Sequence, residues 1–377
     1  MKKIAVVSDS FKGSITSGEI CAIVAEEAAR FFPACDIDGI PVADGGEGTV
    51  DSFLASLDGE KITLEATGPH FERIRSFYGR FGGTAIIEMA AAAGLPLAGE
   101  KNDPARATTY GVGELMRHAL ERGAKKIVLG LGGSATNDGG CGAAAAMGTR
   151  FFDQNGEAFI PTGGTLSNIV KIDNSAATRL LAGAEVVAMC DIDNPMHGPR
   201  GAAYVFAPQK GASPEMVRLL DGQLAALDAV ITRELGIKAA DIPGAGAAGA
   251  MGAGVSAFFG AALMPGIEAV LDTVRFEERI AGADFVITGE GRLDSQSLRG
   301  KVVVGVARRA KRAGVPVFAV VGDVGDGIEE VYAQGVTAVF STNRLAIPFS
   351  EAKLRSAQDY RLTIENLFRL MKANEAR

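Results

Sequence analysis

Both ends of this 377-residue chain alternate short apolar runs with helical stretches, and that alternation limits its fold more than any other feature. Strands that alternate with helices pair in parallel, with helices covering both faces of the sheet. At the start, Ile4-Ala5-Val6-Val7 precedes a helix over 16–32, opened by a capping box of Thr16 and Glu19. A second strand over 37–42 and a helix over 47–57 follow. At the end, 284–287, 317–321 and 337–341 read as strands. Helices over 300–313 and 326–334 separate them, and one over 350–373 closes the chain.

The middle obeys a different rule. Residues 62–66 and 74–79 alternate polar and apolar side chains like antiparallel strands, and 85–88 looks like another. A helix over 111–122, a strand over 126–129, a helix over 137–148, a buried strand over 186–190 and an amphipathic helix over 213–235 follow. The expected fold class is therefore α/β with two α/β domains. A discontinuous Rossmann-like parallel-sheet domain takes residues 1–63 and 267–377, and a mixed α/β domain over 64–266 is inserted into it. The length agrees, because domains average about 100–200 residues.

Net charge is −7, and no basic stripe stands out, which argues against nucleic acid as a partner. Cys21, Cys35, Cys141 and Cys190 are scattered without a CxxC pair, as expected of reduced thiols in a cytoplasmic protein. The opening MKKIAVVSDS turns polar at Ser8 and reads as a first strand, not an export signal. Residues 242–267 carry no charge and are long enough to span a bilayer. They are rich in Gly and Ala and hold Pro243 and Pro265, so a buried helix between loops is expected and no membrane.

Glycine is abundant, at 49 residues, and clusters at the ends of apolar runs. Gly130-Leu131-Gly132-Gly133-Ser134-Ala135 matches G-x-G-x-x-A after a strand, and Asp153 lies about twenty residues on, as a dinucleotide fingerprint requires. Yet Ser134-Ala135-Thr136-Asn137-Asp138 intervenes before the next helix. That suits a phosphate or substrate loop with a capped helix behind it. A tight turn needed only for packing is the third reading. Gly244 to Gly249 matches G-x-G-x-x-G with no strand before it. No Walker A motif is present, since Val302 follows Gly300-Lys301.

Acidic residues recur where strands should end: Asp9, Asp44, Asp191 with Asp193, and Glu290. Ligands of open α/β sheets bind outside those carboxyl ends. Lys12, Lys210, Arg292 and Lys301 stand beside glycines in expected loops, where cations would neutralise a phosphoryl group. His70, His118 and His197 have no metal-ligand spacing, and no Gly-x-Ser-x-Gly elbow marks a serine hydrolase.

Seven blocks, taken together and in order, resemble the bacterial glycerate kinase family of the glycerate 2-kinase type. They are Ser8 to Ser14, Pro41 to Thr49, Gly130 to Gly140, Cys190 to Pro195, Gln209 to Ala212, Gly244 to Gly249 and Ile287 to Asp294. The resemblance implies a kinase that transfers the γ-phosphoryl of ATP, with Mg2+, to D-glycerate. Its product would be 2-phosphoglycerate, and its active site would lie in the cleft between two α/β domains. Within that reading Asp191, Lys12, Asp44 and Lys210 are the candidate catalytic residues. Asp191 and Asp193 serve magnesium or the hydroxyl proton, with Asp294 a second magnesium candidate. Ser14, Gly132, Gly133, Ser134, Asn137, Asp138, Glu290 and Arg292 are the candidate substrate or nucleotide contacts. A monomer or homodimer is expected. An NAD-dependent hydroxy-acid dehydrogenase and a non-catalytic two-domain binding protein are the alternative readings.

Overall fold

The structure, a computed structural model, describes the chain apart from Lys12, Asp44, Lys101, Gln296, Ala376 and Arg377 and the side chains of Arg299 and Glu375. Contacts divide it into two compact units. One comprises Met1–Ala43, Ala55–Asp58 and Ile267–Arg377; the other comprises Asp44–Leu54 and Gly59–Gly266.

The first unit is built on a five-stranded sheet in which every pairing is parallel. The N-terminal strand Lys3–Ser8 lies between Phe285–Gly289 and Asp36–Gly39, and Val317–Val321 and Val336–Ser341 extend the sheet beyond Phe285–Gly289. The helix Ser17–Phe31 buries Ile20, Ile23, Val24 and Ala28, one stripe at helical spacing. Its expected capping box is present: Glu19 N donates to Thr16 Oγ1 (3.2 Å) and Thr16 N donates to Glu19 Oε2 (2.8 Å). The last helix, Ser356–Glu375, lays Tyr360, Ile364, Leu367 and Phe368 on the same core. Each fully buried side chain of this kind contributes about 1.5–3 kcal/mol. The helix expected over 350–373 is interrupted, with a short turn at Phe349–Ala352 and a 3-10 turn at Lys353–Arg355 before it.

Arg309, on the helix Val302–Arg312, is only 7% exposed and meets three carboxylates of this unit: Glu277 (2.6 Å), Asp272 (2.5 Å) and Glu268 (3.4 Å). Replacing it with methionine strands like charges against one another. The Arg309→Met variant is expected to unfold at a lower urea midpoint, a loss on the order of 2 kcal/mol. An unchanged midpoint would mean that the three acids are solvated well enough alone.

The second unit carries a six-stranded mixed sheet, in the order Ala262–Met264, Glu185–Met189, Lys126–Gly130, Thr84–Glu88, Arg73–Phe81, Glu60–Thr67. The first four strands are parallel, and the last two are antiparallel, as the alternation over 62–66 and 74–79 requires. Glu88 is buried at the end of its strand and accepts from Val50 N (3.2 Å), at the start of the helix Thr49–Ser56. Burial holds its carboxyl above the usual range. The uncharged stretch 242–267 contains the buried segment Ala247–Phe259, helical except at Ala248, Gly249 and Ala250, which take left-handed φ of 56°, 68° and 65°; no described helix is long and apolar enough to cross a membrane. The helix expected over 137–148 shrinks to Cys141–Ala146, because Gly139 and Gly140 adopt left-handed φ of 61° and 74° before it.

Candidate functional site

The glycine-rich loop after Lys126–Gly130 approaches other backbone. A Cβ on Gly130 would stand 2.3 Å from Gly45 O, and one on Gly132 would stand 2.6 Å from Gly46 Cα. The Gly132 amide donates to Gly45 O at 2.9 Å, so it is committed within the protein. Gly249 in the second glycine block plays the same part: a Cβ there would lie 2.0 Å from Thr136 O. Packing therefore explains these glycines without a nucleotide.

An anion does sit before the short helix, and it belongs to the chain. Asp138, fully buried, accepts from Thr109 N and Thr109 Oγ1 (2.8 Å each), Gly140 N (3.1 Å) and Gly142 N (3.2 Å). Burial raises its carboxyl above the usual range, and these bonds oppose the rise. The amides of Gly140 and Gly142 at the start of the short helix are thus taken by Asp138 itself. Asp153, the acid of the dinucleotide pattern, accepts from Asn155 N (2.9 Å) and Glu157 N (3.0 Å). It closes a hairpin of the small antiparallel sheet Arg150–Phe152, Ala158–Phe159 and Lys171–Asp173. The fingerprint needs its acid beside the parallel sheet, on a neighbouring strand, so the pattern is not completed.

Lys210 closes the 3-10 turn Pro208–Lys210, and its side chain is 2% exposed. The sequence marks it as a loop lysine; tertiary packing buries it. Its Nζ donates to Ser134 Oγ (2.8 Å) and Thr136 O (2.6 Å). Burial pulls the ammonium down to about 7, and the nearby Asp138 carboxylate partly offsets that. Beside it, Asn102 Nδ2 donates to Ala135 O and Lys210 O, both at 2.9 Å. Asn102 Oδ1, Thr136 Oγ1 and both side-chain polar atoms of Asn137 are buried without a protein partner. Sequence reasoning chose Ser134, Asn137, Asp138 and Lys210 here and marked Thr136 as a possible donor, but did not single out Asn102.

The first unit gathers a second set at the carboxyl ends of Lys3–Ser8 and Phe285–Gly289. Glu290 is 6% exposed, with its Oε1 unpartnered. Burial raises its carboxyl to about 7; Ser297 and Lys301 pull it down, and Asp9 and Asp294 push it up. Asp294 N donates to Ser297 Oγ (3.2 Å), and the Arg292 guanidinium lies 3.8 Å from Asp294 Oδ2. Ser14 donates to Phe11 O at 2.9 Å, in the turn after Asp9. Lys12 and Asp44 fall outside the described residues.

Asp191 and Asp193 follow the strand Glu185–Met189, and both are exposed. Asp191 Oδ1 accepts from Gly266 N at 2.8 Å. His197 Nε2 lies 3.5 Å from Asp228 Oδ2. Among the described residues no three His, Cys, Asp or Glu side chains converge to hold a metal. Mg2+ bound by one or two carboxylates plus phosphate and water oxygens needs no such triad. Asp191 and Asp193 are exposed carboxylates of the hard-oxygen type that such an ion would take.

The model of the glycerate kinase family matches residues 4–372. A glycerate kinase from Bacillus cereus is 44% identical over 368 residues, 97% of each chain. The glycerate 2-kinase of Escherichia coli is 44% identical over 342 residues, 90% of each chain. The crystal structure of a candidate glycerate kinase 2 from Salmonella typhimurium LT2 superposes over 100% of both chains, with a TM-score of 0.87 at 40% identity. With the α/β architecture and the seven motif blocks, these matches establish that this chain belongs to the glycerate kinase family and is a kinase.

Proposed function

We propose that the chain transfers the γ-phosphoryl group of ATP to the 2-hydroxyl of D-glycerate, giving ADP and 2-phosphoglycerate. The observation that carries this reading is the family match over nearly the whole chain, joined to 44% identity with a glycerate 2-kinase. In the reaction the hydroxyl oxygen bonds to the γ-phosphorus, the bond to the β,γ-bridging oxygen breaks, and the hydroxyl proton leaves for a base. Such transfers ask the protein for positioning and charge compensation more than for covalent chemistry.

Asp191, exposed at a strand end and steadied by Gly266 N, is assigned to accept the proton. Asp193 and Asp294 are assigned to Mg2+, which would neutralise phosphate charge when bound; Asp44 is the alternative base. Lys12 and Lys210 are assigned to the negative charge of the phosphoryl group and the glycerate carboxylate. Glu290 and Arg292 are assigned to the nucleotide.

Phosphorus NMR of the purified protein tests the reading. A phosphoglycerate resonance that needs ATP, Mg2+ and D-glycerate together is expected. A doublet, from the single proton on C2, marks the 2-phosphate; a triplet, from the C3 methylene, would give the 3-phosphate instead. ATP left intact beside folded protein would sink the kinase reading on glycerate. A change in nicotinamide absorbance with a hydroxy acid would favour the dehydrogenase.

A further inference from the structure

Four buried polar atoms without a protein partner cluster around one four-residue segment of the second unit. They are Asn102 Oδ1, Thr136 Oγ1, Asn137 Oδ1 and Asn137 Nδ2. Asn102 joins the segment through its bond to Ala135 O, and Lys210 joins it through Ser134 Oγ and Thr136 O. Leaving a buried polar group unpaired costs about 1–3 kcal/mol. Native proteins bury few such groups, and each needs a partner from water, an ion or a ligand.

The chemistry of these unpartnered atoms is specific. Asn102 gives both of its N–H donors to backbone carbonyls, which fixes its amide orientation, so the unpartnered atom is an acceptor. Asn137 presents one acceptor and one donor whichever way its amide is turned. Thr136 adds a hydroxyl, which accepts and donates. Protonated Lys210 has three N–H donors and uses two, on Ser134 and Thr136. Ionised phosphate and carboxylate oxygens cannot satisfy an amide oxygen, because they donate nothing. Hydroxyl groups can. A small acid with two hydroxyls and one carboxylate offers both halves: donors for the amide oxygens, acceptors for Asn137 Nδ2 and Lys210.

We propose that Asn102, Thr136, Asn137 and Lys210 form the subsite that holds the hydroxy-acid substrate, with the two amide oxygens selecting for its hydroxyl groups. This rests on the reading of the chain as a kinase acting on D-glycerate. It assigns the acid, and not the phosphates of ATP, to the segment Ser134–Asn137. A site built to hydrogen-bond a hydroxyl rejects an analogue that lacks it, because its own buried groups are then left unpaired.

The test uses the full chain with ATP, Mg2+ and D-glycerate, in wild type, Thr136→Val, Thr136→Ser and Asn137→Leu. Thr136→Val and Asn137→Leu are expected to lower kcat/KM for D-glycerate by about 100-fold or more, with KM for ATP within about threefold of wild type. Thr136→Ser keeps the hydroxyl and is expected to retain most activity. Melting temperatures of the Val and Leu variants should be equal to or above wild type, because each removes an unpaired buried group. Calorimetric titration with D-glycerate, without nucleotide, should show the same ranking and weaker binding of lactate, which lacks the 3-hydroxyl. The proposal is overturned if Val and Leu leave kcat/KM for glycerate within about threefold of wild type, or weaken ATP and glycerate alike. It is also overturned if both variants lose stability, for then the polar atoms hold structural water. Wild-type turnover is read first and separately: absence of phosphoglycerate sinks the kinase reading, whereas normal turnover with unaffected variants sinks only the subsite.

Discussion

Replacing Lys210 by methionine is expected to cut turnover on glycerate by about 100- to 1,000-fold, the usual loss when one preorganised charge or donor is removed from an active site. The same change is expected to stabilise the fold at low pH. The sign follows from the titration. The amine sits at about 7 in the folded chain against 10.5 when free. Between those values the unfolded chain binds the proton and the folded chain does not, so wild-type stability rises with pH there. At and below pH 7 the folded chain carries the full cost of a buried ammonium. Methionine, similar in length and uncharged, removes that cost. The melting temperature of Lys210→Met should therefore exceed that of wild type most clearly at pH 6. Wild type should gain on the variant by about 2 kcal/mol between pH 7 and pH 9. Parallel melting curves across that range would show that Lys210 titrates normally. Normal turnover in the variant would remove it from the reaction.

That lysine also marks the limit of what the sequence discloses. The alternation of apolar runs with helices is a local signal, and it suffices for the parallel order of the first unit, where strands from both ends of the chain meet. The antiparallel pair Glu60–Thr67 and Arg73–Phe81 is equally legible, because one face is polar and the other apolar. The strand Ala262–Met264 is not legible: three residues beside a Gly/Ala-rich helix carry no period. Lys210 between Gln209 and Gly211 looks solvated, since nothing local says that it will be buried. Asn102, in Lys101-Asn102-Asp103-Pro104, reads as a turn residue. Its partners Ala135 and Lys210 lie 33 and 108 residues away, beyond any local pattern.

The glycine loop teaches a related lesson. A strand followed by G-x-G-x-x-A permits close approach, but it does not say by what. At Gly130 and Gly132 the approaching group is the backbone of Gly45 and Gly46. The amides of Gly140 and Gly142, just ahead of the short helix, meet Asp138. The buried atoms without a protein partner, on Thr136, Asn137 and Asn102, emerge only once every internal hydrogen bond has been assigned.

Glu290→Gln is expected to lower turnover by about 100-fold and to erase an acid limb near pH 7. Glu290 lies at the end of Phe285–Gly289, buried, with one oxygen unpartnered, and its carboxyl is raised to about 7. Where the ionised form is the working one, kcat/KM falls as pH drops below 7, because kcat/KM reports the free enzyme. Glutamine keeps the shape and cannot ionise, so the residual activity should be flat through that region. Stability supplies an independent readout with the opposite preference. The folded value lies above the ordinary 4.5, so the folded state binds more protons than the unfolded state between 4.5 and 7. Wild-type stability therefore falls as pH rises through that window, by about 2 kcal/mol from pH 5 to pH 8. The glutamine variant escapes this loss and should melt higher than wild type at pH 8, with the gap closing toward pH 5. A carboxylate kept ionised at a cost to the fold, and needed for turnover, belongs to the reaction. If Glu290→Gln turns over normally and melts like wild type at every pH, Glu290 is a structural residue and the nucleotide assignment falls to Arg292 alone.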